Sequence, residues 1–275
     1  MTYSRAKHRC RTVSAKDRLA EYIPCVRFAM LLVGGLLVFS PYLLATAVVA
    51  LVDRASNRLV IAADCRVERD SGSRLACKIV NEPGCVVAIA GLYAEKSSGF
   101  ALRAMVRRAC NDPGNLQSKA ERFVEAARAP YEAAIRRIRE VSPQDFARTT
   151  VNQPTEVIFA GVQDGRVALV VRGFIADSNA KVTVERYDNV GPENSGLGYF
   201  LGLNEEIRAY VGVHPDWAKV GYPKAARQFV QLEIHAHPDL ASPPISEVEI
   251  DSKGRVKWLS LGVCARQKAK HNHNN

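Results

Sequence analysis

The sequence predicts an α+β fold built from antiparallel sheets with helices stacked against them. Three observations predict it. Strand-like runs come in blocks that alternate with blocks of helical periodicity, and tight turns join the strands. Nothing reproduces the strand-helix alternation of a parallel doubly wound sheet, and no GxGxxG or P-loop motif occurs. A chain of 275 residues allows one or two domains, with a core large enough to fold without disulfides or metal. Fractions of 47% apolar and 24% charged residues exclude a disordered, collagen-like or polytopic membrane protein.

Thr46–Val52 and Arg58–Ala63 read as two strands joined by Asp-Arg-Ala-Ser-Asn, a loop with turn chemistry. The polar stretch Glu68–Arg74 precedes a third strand near Lys78–Val80. Glu82-Pro83-Gly84 turns the chain into a fourth, Cys85–Ala90, which stops at Gly91. Helical periodicity then runs over Ser97–Cys110, through Phe100, Leu102, Met105 and Val106. It continues over Asn115–Val141, where Phe123, Val124, Ala127, Tyr131, Ile135 and Ile138 form the apolar face and Pro130 is the expected break or kink. Strands return at Glu156–Gln163 and Arg166–Phe174 around Asp164-Gly165, a strong two-residue hairpin signal. Lys181–Tyr187 leads into the polar loop Asp188–Leu197. Helical segments over Leu203–Val213 and Pro223–His237 follow, and Ile245–Asp251 pairs with Arg255–Leu261 in a last hairpin. No internal repeat is visible.

Residues 1–45 form a leader. Its first 27 residues are polar and basic, and a 25-residue stretch without formal charge, Phe28 to Val52, follows. That length is enough to span a bilayer, but Pro41 divides it and the part after Ala45 turns β-branched. A basic n-region, a short apolar h-region and small residues at its end describe a secretory signal peptide. Ala45-Thr46-Ala47 favours cleavage after Ala47, while cleavage after Ala45 leaves Leu43 three positions before the cut. Met30 is an alternative start, and an uncleaved membrane anchor is the alternative fate. The expectation is export to the periplasm or outside the cell, with anchoring in the inner membrane as its rival. Residues 266–275 are expected to be a disordered polar tail whose His271 and His273 are solvated.

The net charge of +10 divides evenly. The leader holds seven Lys/Arg against two Asp/Glu, so +5 remains for residues 46–275, spread too thinly for a phosphate-binding footprint. Nucleic acid is therefore not an expected partner. Of seven cysteines, Cys10 and Cys25 lie in the leader and Cys65, Cys77, Cys85, Cys110 and Cys264 after it. No CxxC pair or metal spacing occurs, so neither metal nor cofactor is expected. After export, one or two disulfides and one unpaired thiol fit the count; buried single cysteines fit it equally.

TAVVALVDRASNRLVIAADCRVERDSG, then LACKIV, then CVVAIAGLY resembles the amino-terminal half of proteasome β-type subunits and their bacterial relatives among the N-terminal-nucleophile (Ntn) hydrolases. The ordered matches are Thr46, Asp64, Lys78 and Gly91, with Thr46 and Lys78 32 positions apart as in the family. Asp64 is displaced by about two residues because the hairpin loop is longer. Ser195-Gly196, read in the loop before a helix, resembles the family's Ser-Gly segment, and Asp239-Leu240-Ala241-Ser242 its Asp-x-x-Ser. The resemblance covers residues 46–262 and implies a four-layer αββα sandwich over 46–265, with Thr46 opening an inner strand. Departures are Ala45 where self-processing subunits usually carry Gly, and the length of the loop Gly191–Leu197.

The resemblance also implies a chemistry. An alcohol needs a nearby base, and in these enzymes the base is the α-amine of the same Thr, with an ordinary pKa of about 7.7–8.0. Removing the leader before Thr46 would create that amine. Lys78 would keep the local field positive, Asp64 would hold Lys78, and Asp239, Ser242 and Ser195 would orient the amine and relay protons. The N–H of Gly91 would face the oxyanion. The implied activity is hydrolysis of peptide or other amide bonds, with a homo-oligomer left open as an assembly. The rival expectation is a catalytically silent, membrane-anchored scaffold on the same fold, touching the membrane only through an uncleaved leader.

Overall fold

Strand Ala47–Asp53 (β1) reads as an unbroken apolar run because six of its seven residues are buried, so both of its faces are covered. It pairs antiparallel with Arg58–Ala63 (β2), Val48 opposite Ala63 and Asp53 opposite Arg58. This computed structural model describes residues 46–67, 74–147, 151, 154–190 and 198–264. All of them lie in the unit Pro41–Asn275, which is distinct from Met1–Ser40. The short strands Arg66–Val67 (β3) and Arg74–Leu75 (β4) pair with each other. Ile79–Glu82 (β5) and Cys85–Ala90 (β6) form a hairpin, and Ala94–Glu95 (β7) pairs with Phe100–Ala101 (β8).

Helices Leu102–Asn111 (α1) and Leu116–Val141 (α2) follow, the second capped by the Asn115 side chain accepting from Ser118 N–H. Strands Thr155–Gln163 (β9), Arg166–Ala176 (β10), Val182–Asn189 (β11) and Gly198–Gly202 (β12) precede Glu205–Val213 (α3) and Tyr222–Ala236 (α4). Ser246–Ile250 (β13) and Val256–Ser260 (β14) close the fold as a hairpin.

Two five-stranded sheets result, in the orders β12-β1-β2-β13-β14 and β11-β10-β9-β6-β5, with all neighbours antiparallel. Alternation of side chains gives each sheet two faces. Val48, Ala50 and Ile61 of the first sheet share one core with Ala88, Ile158 and Leu169 of the second. The opposite face of the second sheet packs Val87, Phe159 and Val170 against Val106, Phe123 and Ile135 of α1 and α2. The opposite face of the first packs Val49, Leu51 and Val60 against Ile207, Phe229 and Val230 of α3 and α4. The α+β class with antiparallel sheets is thus the observed one.

Several elements differ from expectation. The first helix begins at Leu102, not Ser97, because the Glu95 carboxylate accepts the N–H groups of Ser97 and Ser98 and Gly99 takes a φ of +71°. Pro130 does not break α2; the carbonyl of Ala126, which it leaves without a helical donor, lies on the exposed side. Strand β12 was not expected. It is five residues long, glycine at both ends, and stands between Ser195 and the helix it was expected to precede. Asp164-Gly165 makes its turn as read, with φ of 53° and 72°.

The leader 1–45, residues 68–73, the loop 191–197 with Ser195, and the tail 266–275 lie outside the described residues, as do Cys10, Cys25, His271 and His273. Among the described residues no helix is long and apolar enough to cross a membrane. Among them, too, no group of three or more His, Cys, Asp or Glu could hold a metal ion. Disulfides join Cys77 to Cys264 and Cys85 to Cys110, leaving Cys65 as a buried free thiol.

Candidate active site

Three side chains far apart in sequence meet in a dry cluster where β1 and β2 face the start of β5. Thr46 stands immediately before β1, Asp64 immediately after β2 and Lys78 immediately before β5. Lys78 Nζ donates to Asp64 Oδ1 at 2.8 Å and to Thr46 Oγ1 at 2.9 Å. Lys78 and Asp64 are fully buried and Thr46 is 3% exposed.

A buried carboxylate requires donors, and Asp64 has four. Besides Lys78, it accepts the N–H groups of Ala47 at 2.9 Å, Arg66 at 2.9 Å and Ser242 at 3.4 Å. These link the ends of β1, β2 and the loop before β13. Main-chain bonds close the same corner: Asp64 N–H to Ala47 O, Cys65 N–H to Ser242 O, and Ile89 N–H to Lys78 O. The Cys77–Cys264 bridge fixes the residue beside Lys78 to the short helical turn Gly262–Cys264. Burial holds the Lys78 ammonium below the usual lysine range, and Asp64 opposes that shift.

The geometry constrains the threonine hydroxyl. Because Lys78 donates to Oγ1, the hydroxyl's own hydrogen points away from Nζ and is free for a base. The Thr46 carbonyl accepts the Leu203 N–H at 2.8 Å. Gly202 lies so close that an added Cβ would stand 2.0 Å from that carbonyl oxygen. Here the chain has no hydroxyl: Gly202-Leu203-Asn204, not Ser195-Gly196, makes the turn into α3.

Gly91 takes a φ of +98°, and a Cβ there would meet Thr155 Cα at 2.6 Å. The next residue is held by the same seat, since Leu92 N–H donates to Thr155 Oγ1 at 3.0 Å. Sequence reasoning missed Thr155, which looks like any residue opening an apolar strand. It also missed Tyr93, whose buried hydroxyl has no hydrogen-bond partner among the described residues and lies within electrostatic reach of Asp64, Cys65 and Arg103.

Of the expected residues, Thr46, Asp64 and Lys78 converge, and Ser242 joins them through its main chain. Asp239 does not: it is exposed and makes no hydrogen bond or ion pair among the described residues. No protein-family model and no curated protein matches this chain.

Proposed function

We propose that this chain is an N-terminal-threonine amide hydrolase, a peptidase or amidase of the Ntn type, completed when the bond before Thr46 is cut. The observation that carries the reading is the buried Lys78 bridging Asp64 at 2.8 Å and the Thr46 hydroxyl at 2.9 Å. In this reading the three cores separate the layers of a four-layer αββα sandwich. After cleavage the Thr46 amine takes the hydroxyl proton as Oγ attacks the amide carbonyl, and returns it to the leaving amine. The positive charge of Lys78 stabilises the developing alkoxide, and Asp64 fixes Lys78. The oxyanion falls to the N–H of Gly91, a residue without a side chain of its own because Thr155 fills that position. Water then releases the acyl group from Thr46. Two disulfides favour an oxidising compartment and so support export.

A second reading, a silent scaffold retained by its leader, is favoured by Leu203 at the turn beside Thr46 and by the exposed Asp239, which leave the amine fewer orienting groups. N-terminal sequencing of protein from its native host decides between them, together with labelling by an electrophilic acylating probe. The hydrolase starts at Thr46 and is labelled, and Thr46→Ala abolishes the label. A start at Val48, or a retained leader, removes the amine and leaves the scaffold.

A further inference from the structure

Strand β12 is the edge of its sheet, so alternate N–H groups along it face away from β1. Leu203 N–H points inward to the Thr46 carbonyl, and Gly202 N–H therefore points outward. It is not left unpaired. Glu156 reaches across from the head of β9, in the other sheet, and Oε2 accepts that N–H at 3.3 Å. The Glu156 side chain lies on the same face of its strand as Ile158 and Ala160, the face shared by the two sheets. Its strand neighbours are Ala90 and Gly173, small enough to leave the carboxyl room to extend.

We propose that Glu156 is a positioning residue for Thr46, holding the nucleophile's main chain across the gap between the sheets through Gly202 and Leu203. This rests on the reading of Thr46 as the nucleophile. The linkage is stiff because Gly202 has no slack against the Thr46 carbonyl. A carboxylate accepts an N–H more strongly than a carboxylic acid does, so the hold tightens when Glu156 ionises. The charged and titratable groups that face it are Glu185 on β11, Tyr199 on β12 and Arg208 on α3, with Tyr187 of β11 packed against Tyr199. Burial raises the Glu156 carboxyl to about 7; Glu185 adds to the rise, while the Gly202 N–H and Arg208 oppose it. The hold thus changes near neutral pH.

The test compares the wild-type chain with Glu156→Leu and Glu156→Gln. Amide hydrogen exchange at Gly202 and Leu203 is measured on the full chain. The rate of Thr46 labelling by the acylating probe is measured from pH 5 to 9 on protein processed by its native host. Glu156→Leu, with circular dichroism unchanged, speeds exchange at both amides by about tenfold or more and slows labelling about 10–100-fold. Glu156→Gln keeps an acceptor, restores both readouts to within about threefold, and removes the component of the labelling profile near pH 7, leaving the step of the Thr46 amine itself. Unchanged exchange in Glu156→Leu overturns the proposal whatever the labelling does. If Glu156→Leu does not fold, labelling profiles of wild type and Glu156→Gln that coincide from pH 5 to 9 overturn it. Wild-type protein that is never labelled overturns the hydrolase reading, while the exchange data still decide whether Glu156 holds the Thr46 main chain.

Discussion

Lys78 and Arg172 are both cations sealed from solvent, exposed by 0% and 1%, yet they use their protons differently. Arg172, on β10 beneath α2, donates to Glu121 at 2.9 Å, to Asp188 at 2.6 Å and to the Val171 carbonyl at 2.7 Å. Every one of those acceptors is a permanent part of the fold. Lys78 has one carboxylate, Asp64, and directs a second donor to a hydroxyl. A hydroxyl is a weak reason to bury an ammonium, and a good one if that oxygen is to become an alkoxide. A structural cation is saturated by carboxylates and carbonyls; Lys78 keeps one donor on a group that can react.

The largest expected effect separates the two cations outright. Lys78→Ala should lower Thr46 labelling of the processed chain by about 10²–10³-fold. The fold should survive, at a cost of about 3–5 kcal/mol for breaking a fully buried pair, because Asp64 keeps the N–H groups of Ala47, Arg66 and Ser242. A wild-type labelling rate would remove Lys78 from the site. Arg172→Leu should cost stability without touching the site. It removes the shared partner of Glu121 and Asp188, which are 40% and 33% exposed and keep Arg186 and Gln117 as donors, and should lower the unfolding free energy by about 1–3 kcal/mol. Labelling per folded molecule should be unchanged; urea unfolding and titration of labelled sites measure the two quantities.

A smaller effect is expected from Glu156. Its carboxyl is raised from 4.5 to about 7 by burial, so between those values the folded chain holds more protons than the unfolded one. Stability therefore falls as pH rises through that window and levels off above it. Glu156→Gln should flatten the slope, gaining about 1–3 kcal/mol relative to wild type between acid and pH 8. Parallel stability curves for the two proteins would contradict the shift. The smallest effect belongs to a solvated cation. Arg58 lies 3.4 Å from Glu249 with 54% of its side chain exposed, and Arg58→Ala should move stability by no more than about 0.5 kcal/mol.

The buried cluster was legible in the sequence because burial leaves a mark there. Lys78 stands among Leu75, Ala76, Ile79 and Val80, where a charge needs a partner. The bounds of β2 and β6 were read without error, since their apolar runs end at turn residues. What could not be read is what the main chain does. Every residue except proline carries an N–H, so the donors of Leu203 to Thr46, and of Ser242 to Asp64, leave no trace in residue type. Ser242 was read as orienting the Thr46 amine; what the structure shows is its backbone N–H donating to Asp64. Strand β12 escaped because a short edge strand with glycine at each end lacks the periodicity that betrays longer ones.

Thr46 is gripped at two points, its hydroxyl by Lys78 and its carbonyl by Leu203. Neither grip involves its nitrogen or anything before it in the chain. Severing the preceding bond would therefore change what that nitrogen is without changing where it is. If the chain is processed as proposed, precursor and product share one shape at the threonine, and activation frees a nitrogen lone pair from its amide instead of rearranging the fold. On the proposed reading, no described loop would have to swing and no described strand would have to register anew for the cut to complete the site.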